Sequence, residues 1–173
     1  GKKVLFYPTP SGRLTKDDND SYDLTDGKLS AEPRTDDRIW FNKDAVGWAK
    51  YGRDLSLGIL MRIDLGSVQP VGQIAIRVLA GNEQQALELP RSVQFMASVD
   101  GENYYTLQTM QHLTPAEMAK GTPGYDYAEN GNAFMAPIVI DVPVKARYIA
   151  LCVNAVGNFY ADEISVLKAT NGQ

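Results

Sequence analysis

The stretch from Leu60 to Leu79 constrains the fold of this chain more than any other part of the sequence. It holds two runs of alternating apolar residues, separated by a segment that contains Gly66 and Pro70. One face of the first run carries Ile59, Met61, Ile63 and Leu65, and one face of the second carries Ile74, Ile76 and Val78. A period of two with β-branched residues is typical of half-buried strands, and Gly and Pro interrupt strands. The stretch therefore predicts two strands that flank a turn, at the centre of a β-sandwich.

The remaining apolar runs are short and are separated by turn residues. They predict strands at 3–7, 92–99, 104–107, 135–142, 146–153 and 162–168. Asp100-Gly101 is a strong hairpin signal between 92–99 and 104–107. Thr114-Pro115-Ala116-Glu117 has the form of a capping box and predicts one helix of about two turns. The predicted fold class is all-β, with about eight antiparallel strands in two packed sheets and one short helix.

Length and charge limit the class of protein further. A chain of 173 residues and 19.0 kDa is expected to form a single domain over residues 1–173. The net charge of −4 and the pI near 5.0 argue against nucleic acid as a partner, because phosphate binding needs clustered Lys and Arg. No apolar stretch approaches the roughly 20 residues of a membrane span. Because the chain begins with Gly1, we expect a processed or excised piece of a larger protein.

Residues suited to catalysis are scarce in this sequence. His112 is the only histidine, and Cys152 is the only cysteine, so an internal disulfide is excluded. Cys152 lies within the alternating run RYIALCV, which predicts a buried, unreactive thiol. One His and one Cys do not suffice for a zinc site, and there is no phosphate-binding glycine motif. A carboxylate pair carries no information among 21 acidic residues, and we expect the chain not to be an enzyme.

The acidic segment from Ser11 to Asp44 is a better candidate for cation chemistry. Asp18-x-Asp20 matches the start of an EF-hand loop, but Tyr22 replaces the third ligand and no Glu follows at the twelfth position. The segment LTDGK (24–28) remains, together with Asp162-Glu163-Ile164 at the start of the last strand. Calcium takes roughly six to eight oxygens, and a glycine lets backbone carbonyls converge. These two segments are therefore a candidate calcium site, and solvated turns are the alternative.

Several short segments occur in an order that resembles a known family. They are LTDGK (24–28), VGW (46–48), RIDLG (62–66), LPRSVQFMASVDGENY (89–104), ARYIALCV (146–153) and GNFYADEISV (157–166). Together they resemble the galactose-binding-like jelly-roll of coagulation factor 5/8 type C (discoidin) domains. They are most similar to the bacterial versions attached to carbohydrate-active enzymes, which include carbohydrate-binding module family 32. The resemblance covers most of the chain and implies a jelly-roll β-sandwich.

The resemblance implies a structural calcium ion that joins the Asp-Gly loop to a Glu near the C-terminus. In this sequence those positions are Asp26 and Glu163, and Leu24 and Lys28 are expected to lend backbone carbonyls. The family's loop after Asp-Gly is shorter than the insertion at 29–38 here, so Asp23 or Asp36 could substitute among the remaining ligands. The implied role of the ion is to brace the first long loop against the last strand.

The resemblance also implies a sugar site in the loops at one end of the sandwich, formed by an aromatic ring and a few polar side chains. The expected site residues are Trp48, Tyr51, Arg53, Asn158, Phe159 and Tyr160. Phe159 and Tyr160 match the aromatic that several members place before the final strand, and Arg53 and Asn158 would donate hydrogen bonds. Alternatively, Trp48 packs under the edge of the sandwich and Phe159 fills the core.

The sequence thus predicts a non-catalytic, monomeric carbohydrate-binding module of a larger secreted or cell-surface bacterial enzyme. Its partner would be a polysaccharide or glycan, and it would be tethered to a catalytic domain such as a glycoside hydrolase or polysaccharide lyase. The only histidine, His112, does not match the histidine that galactose binders of the family often use, and membrane insertion is disfavoured because no exposed apolar spikes with basic neighbours stand out. The alternative is a structural or protein-interaction β-sandwich with no sugar site.

Overall fold

The computed structural model describes residues 1–13, 15–30, 43–50, 55, 57–82, 86–111, 113–114 and 134–170. The elements in chain order are β1 (Val4–Tyr7), α1 (Asp20–Asp23), β2 (Val46–Trp48), β3 (Ile59–Ala80), β4 (Ser92–Ser98), β5 (Tyr105–Gln111), β6 (Phe134–Asn154) and β7 (Phe159–Lys168). Every pairing between these strands is antiparallel. The predicted all-β class is confirmed.

Two long strands, β3 and β6, form the centre of the fold. They contain 22 and 21 residues and pair with each other along most of their length. The register shifts between Asp64 and Gln69, where Gly66 has a φ of 91°. The predicted turn at Gly66–Pro70 is therefore wrong: the two runs form one bent strand. Because β6 runs beside both halves, each run finds its partner there, and a positive φ at glycine allows the bend without steric cost.

The bend places the two ends of β3 and β6 in different layers. The strand order is β2-β7-β3-β6-β4-β5, and β1 pairs with the first half of β3. The second half of β3 pairs with β7 instead. Phe6 in β1 contacts Trp48 in β2 edge to face, with ring centroids 5.3 Å apart. This contact joins β1, which pairs with the first half of β3, to β2, which pairs with β7, so the two halves of the sheet face each other as a sandwich.

The core lies between these halves and follows the alternation in the sequence. Of the predicted inward residues, Ile59, Met61, Ile63, Ile74, Ile76 and Val78 are buried, and Leu65 is partly buried against the core. Leu60, on the opposite face of β3, is 41% exposed. Burial of this apolar surface is the main stabilising contribution in a fold of this kind.

The other predicted elements have mixed outcomes. The Asp100-Gly101 hairpin is confirmed, since β4 and β5 pair across it. The strands predicted at 135–142 and 146–153 are parts of the single strand β6, so the described residues contain seven strands. The structure adds the short strand β2 and the four-residue helix α1, neither of which had been predicted. The helix predicted after Thr114 lies outside the described residues, as does His112.

Candidate functional site

Trp48 and Phe159, two of the aromatic residues expected to bind sugar, lie in the core. Trp48 is fully buried, and its indole Nε1–H donates a hydrogen bond to the Pro8 carbonyl at 2.8 Å. Its ring centroid lies 5.8 Å from that of Phe159, which is also buried. A ring stacks on a sugar through a free face, and neither ring offers one in this arrangement. Both residues therefore lie where the alternative interpretation of the sequence put them, with Trp48 under the edge of the sandwich and Phe159 in the core.

Tyr160 is likewise buried, in a smaller apolar cluster with Leu79, Leu87 and Met135. Its ring packs against Gly47, where a Cβ atom would lie 2.2 Å from the ring. Burial raises the pKa of the Tyr160 phenol. The motif VGW therefore needs its glycine so that β2 can approach the ring of Tyr160 in β7.

Asn158 lies where three loops meet, just before β7. Its backbone N–H donates to the Ala86 carbonyl at 2.8 Å, and its side-chain Oδ1 accepts from the backbone N–H of Lys50 at 2.7 Å. Leu87 forms an isolated bridge with Asn158. At Gly157 a Cβ atom would lie 2.2 Å from the Ala86 carbonyl oxygen, so only glycine permits this approach. We call Lys50, Ala86, Leu87, Gly157 and Asn158 the Asn158 junction.

The Asn158 junction holds polar groups on backbone that is fixed from three sides. Ala86 has a φ of 56°, an unusual value for a residue with a side chain, and such residues persist only where the surroundings impose them. Asn158 is half-buried, so part of it reaches solvent. Tyr51 and Arg53 follow Lys50 in the sequence and lie outside the described residues. Asn158 is a candidate that the sequence predicts, whereas Lys50 and Ala86 are not, because neither residue type indicates binding by itself.

The early acidic turn contacts the last strand. The Gly27 N–H donates to Glu163 Oε2 at 3.2 Å, and the Ile164 N–H donates to the Leu24 carbonyl. Asp26 accepts from the backbone N–H of Lys28 at 2.8 Å, and the Lys28 ammonium lies 3.8 Å from Asp26 Oδ2. The structure thus brings together Leu24, Asp26, Lys28 and Glu163. We call Asp26, Gly27 and Glu163 the loop–strand clasp.

The electrostatics of the loop–strand clasp favour an added positive charge. Burial, with further contributions from the charges of Asp26 and Asp162, raises the pKa of Glu163 to about 7. The Gly27 N–H and the Arg77 guanidinium act in the opposite direction. Two neighbouring carboxylates fit a hard cation, although the Leu24 carbonyl already accepts one hydrogen bond and Lys28 partly neutralises Asp26.

A second acidic group lies around α1. Asp17, Asp20 and Asp23 each offer an oxygen, and these oxygens all lie within 4.8 Å of one another. Asp20 and Asp23 are buried, with 8% and 5% of their surface exposed. This cluster could hold a metal ion. We call this cluster the aspartate triad. Its spacing of three residues is a local signal in the sequence that the predictions above did not use, because side chains three apart lie close together on a helical turn.

A groove of about 390 Å³ adjoins the loop–strand clasp, between the bend of β3 and the outer part of β7. Its walls are mainly apolar, from Ile63, Leu65 and Val166, and Lys2, Glu163 and Lys168 supply charges. Its volume is in the usual range for small-ligand sites. The Asn158 junction is not part of its lining, since that junction lies before the other end of β7. Of the residues named for the sugar and calcium sites that the structure describes, only Glu163 lines this groove.

The single cysteine differs in burial from the prediction. Cys152 is half-buried on the outer face of β6, not fully buried as predicted, and burial raises the pKa of its thiol.

No helix among the described residues is both long and apolar enough to cross a bilayer.

Comparison with solved structures identifies the fold, whereas comparison by sequence does not. No family model matches the chain, and no curated protein matches it. The lectin domain of lectinolysin, solved in complex with Lewis B antigen, is 11% identical, with a TM-score of 0.57 over 98% of this chain and 94% of that chain. The CBM32-3 module of a family 31 glycoside hydrolase from Clostridium perfringens is 15% identical, with a TM-score of 0.56 over 97% and 90%.

A third structure is CpGH89CBM32-5 from Clostridium perfringens, in complex with GalNAc-β-1,3-galactose. It is 13% identical, with a TM-score of 0.58 over 95% of this chain and 94% of that chain. The fold is a galactose-binding-like β-sandwich. With sequence identities this low, the similarity concerns the fold alone. It confirms, for the fold, the resemblance that the ordered segments of the sequence indicate. The function of this chain has to be argued from its own sites.

Proposed function

We propose that this chain is a non-catalytic carbohydrate-binding module and that the glycan binds at the Asn158 junction. The observation that carries the proposal is the meeting of three loops at Asn158, which fixes polar backbone and side-chain groups at one end of the sandwich. Sugars need hydrogen-bonding groups held on a rigid frame. The similar structures with bound Lewis B antigen and GalNAc-β-1,3-galactose support a glycan as the ligand class.

In this proposal the expected site residues have two different roles. Asn158 with Tyr51 and Arg53, which continue from Lys50, would contact the sugar. The junction would be supported by the buried rings of Trp48, Phe159 and Tyr160. Each of these residues lies within two positions of Lys50 or Asn158 in the sequence. An arginine fork would suit a carboxylate on an acidic sugar. Few groups take part, so the affinity of a single site would be weak.

The wider biological role follows from weak, reversible binding. A tethered module raises the local concentration of its glycan at an attached catalytic domain. We propose that the chain serves a secreted or surface carbohydrate-active enzyme of a bacterium in this way, as a monomer. Calcium at the loop–strand clasp would have a structural role, with Asp26 and Glu163 as side-chain ligands and with Leu24 and Lys28 offering carbonyls.

The proposal is tested by screening the protein on a glycan array and measuring the best hit by affinity electrophoresis. We expect Asn158→Ala to weaken retention at least tenfold, and Tyr51→Ala and Arg53→Ala to weaken it as well. Asn103→Ala is a matched control, because Asn103 lies in the β4–β5 turn beyond Ser98. The other end of β4, at Ser92, is the one that pairs with Asn154 near the junction.

Three outcomes would count against the proposal. Equal retention of the Asn158→Ala and Asn103→Ala proteins would remove the junction as the site, and loss of binding in Lys168→Ala would point to the groove instead. No retention on any glycan would favour a structural or protein-interaction domain. Turnover of a polysaccharide in a reducing-end assay would show an enzyme.

A further inference from the structure

The aspartate triad concentrates negative charge in a partly buried place. Asp20 and Asp23 lie three residues apart in α1, so the helical turn places them on one side, and Asp17 comes before the N-cap residue Asn19. Asp17 Oδ1 accepts from the Asn19 N–H at 2.7 Å, and Asp20 Oδ1 accepts from the Asp17 N–H at 3.2 Å. These bonds occupy one oxygen of each carboxylate. Like charges at this spacing destabilise a helical turn unless something offsets them.

Asp23 is the member of the triad whose position most requires a partner. It is 5% exposed, and its Oδ2 is buried with no hydrogen-bond partner. Among the residues that the structure describes, none of the three carboxylates forms an ion pair. A buried carboxylate without a partner is strongly unfavourable, so the arrangement as it stands lacks a positive group.

The nearby lysines do not supply that group. The Lys43 ammonium donates to the Lys16 carbonyl at 2.6 Å and acts on Asp20 only from a distance. Burial, followed by the charges of Asp17 and Asp20 and more weakly of Asp26 and Asp44, raises the pKa of Asp23 to about 6. Burial also raises the pKa of Asp20. Burial is the largest cause of both shifts, and the neighbouring aspartates add to it.

We propose that Asp17, Asp20 and Asp23 bind a calcium ion, at a site separate from the loop–strand clasp. Carboxylate oxygens are ligands for hard cations. The three oxygens of the triad all lie within 4.8 Å of one another, so a single ion can contact all three. Calcium accepts irregular sets of oxygen ligands, whereas magnesium demands near-ideal octahedral geometry, so we take calcium as the ion. The ion would order the first loop at α1, which lies against β1.

The test is isothermal titration calorimetry with CaCl₂ on protein stripped with EDTA. We expect Asp23→Asn and Asp20→Asn to lose one calcium-binding event or to weaken it at least tenfold. Asp18→Asn is the matched control, because Asp18 is an exposed carboxylate in the same segment that is not part of the triad. Glu163→Gln should leave this event intact and should remove only a second event that belongs to the loop–strand clasp.

A thermal melt separates a cation site from a merely structural role. Without calcium, Asp23→Asn should raise the melting temperature, because it removes a buried charge. With calcium, the wild type and Asp18→Asn should gain several degrees, whereas Asp23→Asn should gain little. Asp17→Asn, at a half-buried position, gives a second variant with the same expectation if the others fold poorly.

The proposal is overturned if the wild type shows no calcium heat and no calcium-dependent melt, or if Asp23→Asn and Asp17→Asn bind calcium like Asp18→Asn. It is also overturned if Glu163→Gln alone removes every binding event. An equal response to MgCl₂ would contradict the choice of calcium. Glycan retention is a separate readout, so failure here leaves the proposed glycan site standing.

Discussion

At the scale of single residues, the aromatic side chains show how one residue type serves two purposes. Trp48 and Phe159 are the kind of residue that a sugar site needs, and they occur in segments similar to those of sugar-binding modules. Both instead fill the core between the layers, and the polar N–H of Trp48 is satisfied by the Pro8 carbonyl. Sequence alone identifies the ring but does not tell which side of the edge strand it faces, because β2 has only three residues.

Trp48→Ala should therefore reduce stability rather than binding alone. We expect a loss of about 3–5 kcal/mol in the free energy of unfolding, because the substitution leaves a large cavity against Phe6 and Phe159. Trp48→Phe keeps a ring and should cost less. The measurement is urea unfolding followed by circular dichroism.

Tyr105→Ala is the control for Trp48→Ala, because Tyr105 is 46% exposed and should cost less than about 1 kcal/mol. A Trp48→Ala protein that unfolds at the wild-type urea concentration but no longer retains glycan would show that the ring binds sugar directly.

At the scale of elements, the bend that carries β3 and β6 between layers is fixed by an exposed ion pair. Arg147 in β6 donates from Nε to Asp64 Oδ1 and from Nη2 to Asp64 Oδ2, each at 2.9 Å. The Gly66 N–H also donates to Asp64 Oδ1, at 2.8 Å. Asp64 thus joins the bend in its own strand to the neighbouring strand at the point where the register shifts.

This pair predicts a loss of stability in acid. The hydrogen bonds from Arg147, followed by that from Gly66, lower the pKa of Asp64 from 3.8 to about 2. Because the folded state holds the ionised form, the contribution of Asp64 is complete above pH 4 and disappears as the pH falls through about 2. Asp64→Asn should be less stable than the wild type at pH 6, and the difference should shrink between pH 4 and pH 2.

Urea midpoints measured across that range test this prediction, with Asp18→Asn as a control for the loss of one exposed carboxylate. A constant difference between wild type and Asp64→Asn from pH 6 to pH 2 would show that the ionised form of Asp64 makes no contribution.

At the scale of the whole molecule, the alternation of the sequence predicted the core but not the connections. Alternation tells which face of a strand is buried, and Ile63 and Ile76 are inward as expected. It does not tell which strand lies alongside, so β3 was divided into two strands at Gly66. The approach of the Asp26 turn to Glu163 came from the ordered resemblance, because 136 residues separate Gly27 from Glu163 and no local pattern spans them.

The same argument explains what could not be predicted of the candidate sites. Contacts such as Asn158 with Lys50 depend on how loops meet, and loops carry little periodic signal. The aspartate triad has a local signal in its spacing of three residues, but in a segment with many aspartates this spacing does not by itself predict a cation site. Fold class was thus within reach of the sequence, whereas the pairing of loops required coordinates.

At the scale of the whole molecule, the carboxylate of Asp162 in β7 connects three parts of the chain. It forms an ion pair with Arg77 in β3 and accepts a hydrogen bond from Ser30 in the first loop. The β7 register shifts at Asp162, which turns its side chain inward. There Asp162, fully buried, accepts from Arg77 Nη2 at 3.0 Å and from the Ser30 N–H at 2.9 Å. Arg77→Ala would leave this carboxylate without a counter-charge, at an expected cost of about 3 kcal/mol. Arg147→Ala removes an arginine from an exposed, solvent-screened pair and should cost clearly less than Arg77→Ala.

A double-mutant cycle with Arg77→Ala and Asp162→Asn, followed by urea unfolding, measures this coupling. The double variant should recover part of the loss, because Asp162→Asn removes the charge that Arg77 had offset. Additive losses in the cycle would mean that the pair contributes no coupling. A cost for Arg77→Ala as small as that for Arg147→Ala would show that solvent, not Arg77, stabilises the Asp162 charge. If the losses are additive, the Ser30 hydrogen bond to Asp162 remains as the contact that holds the first loop on β7.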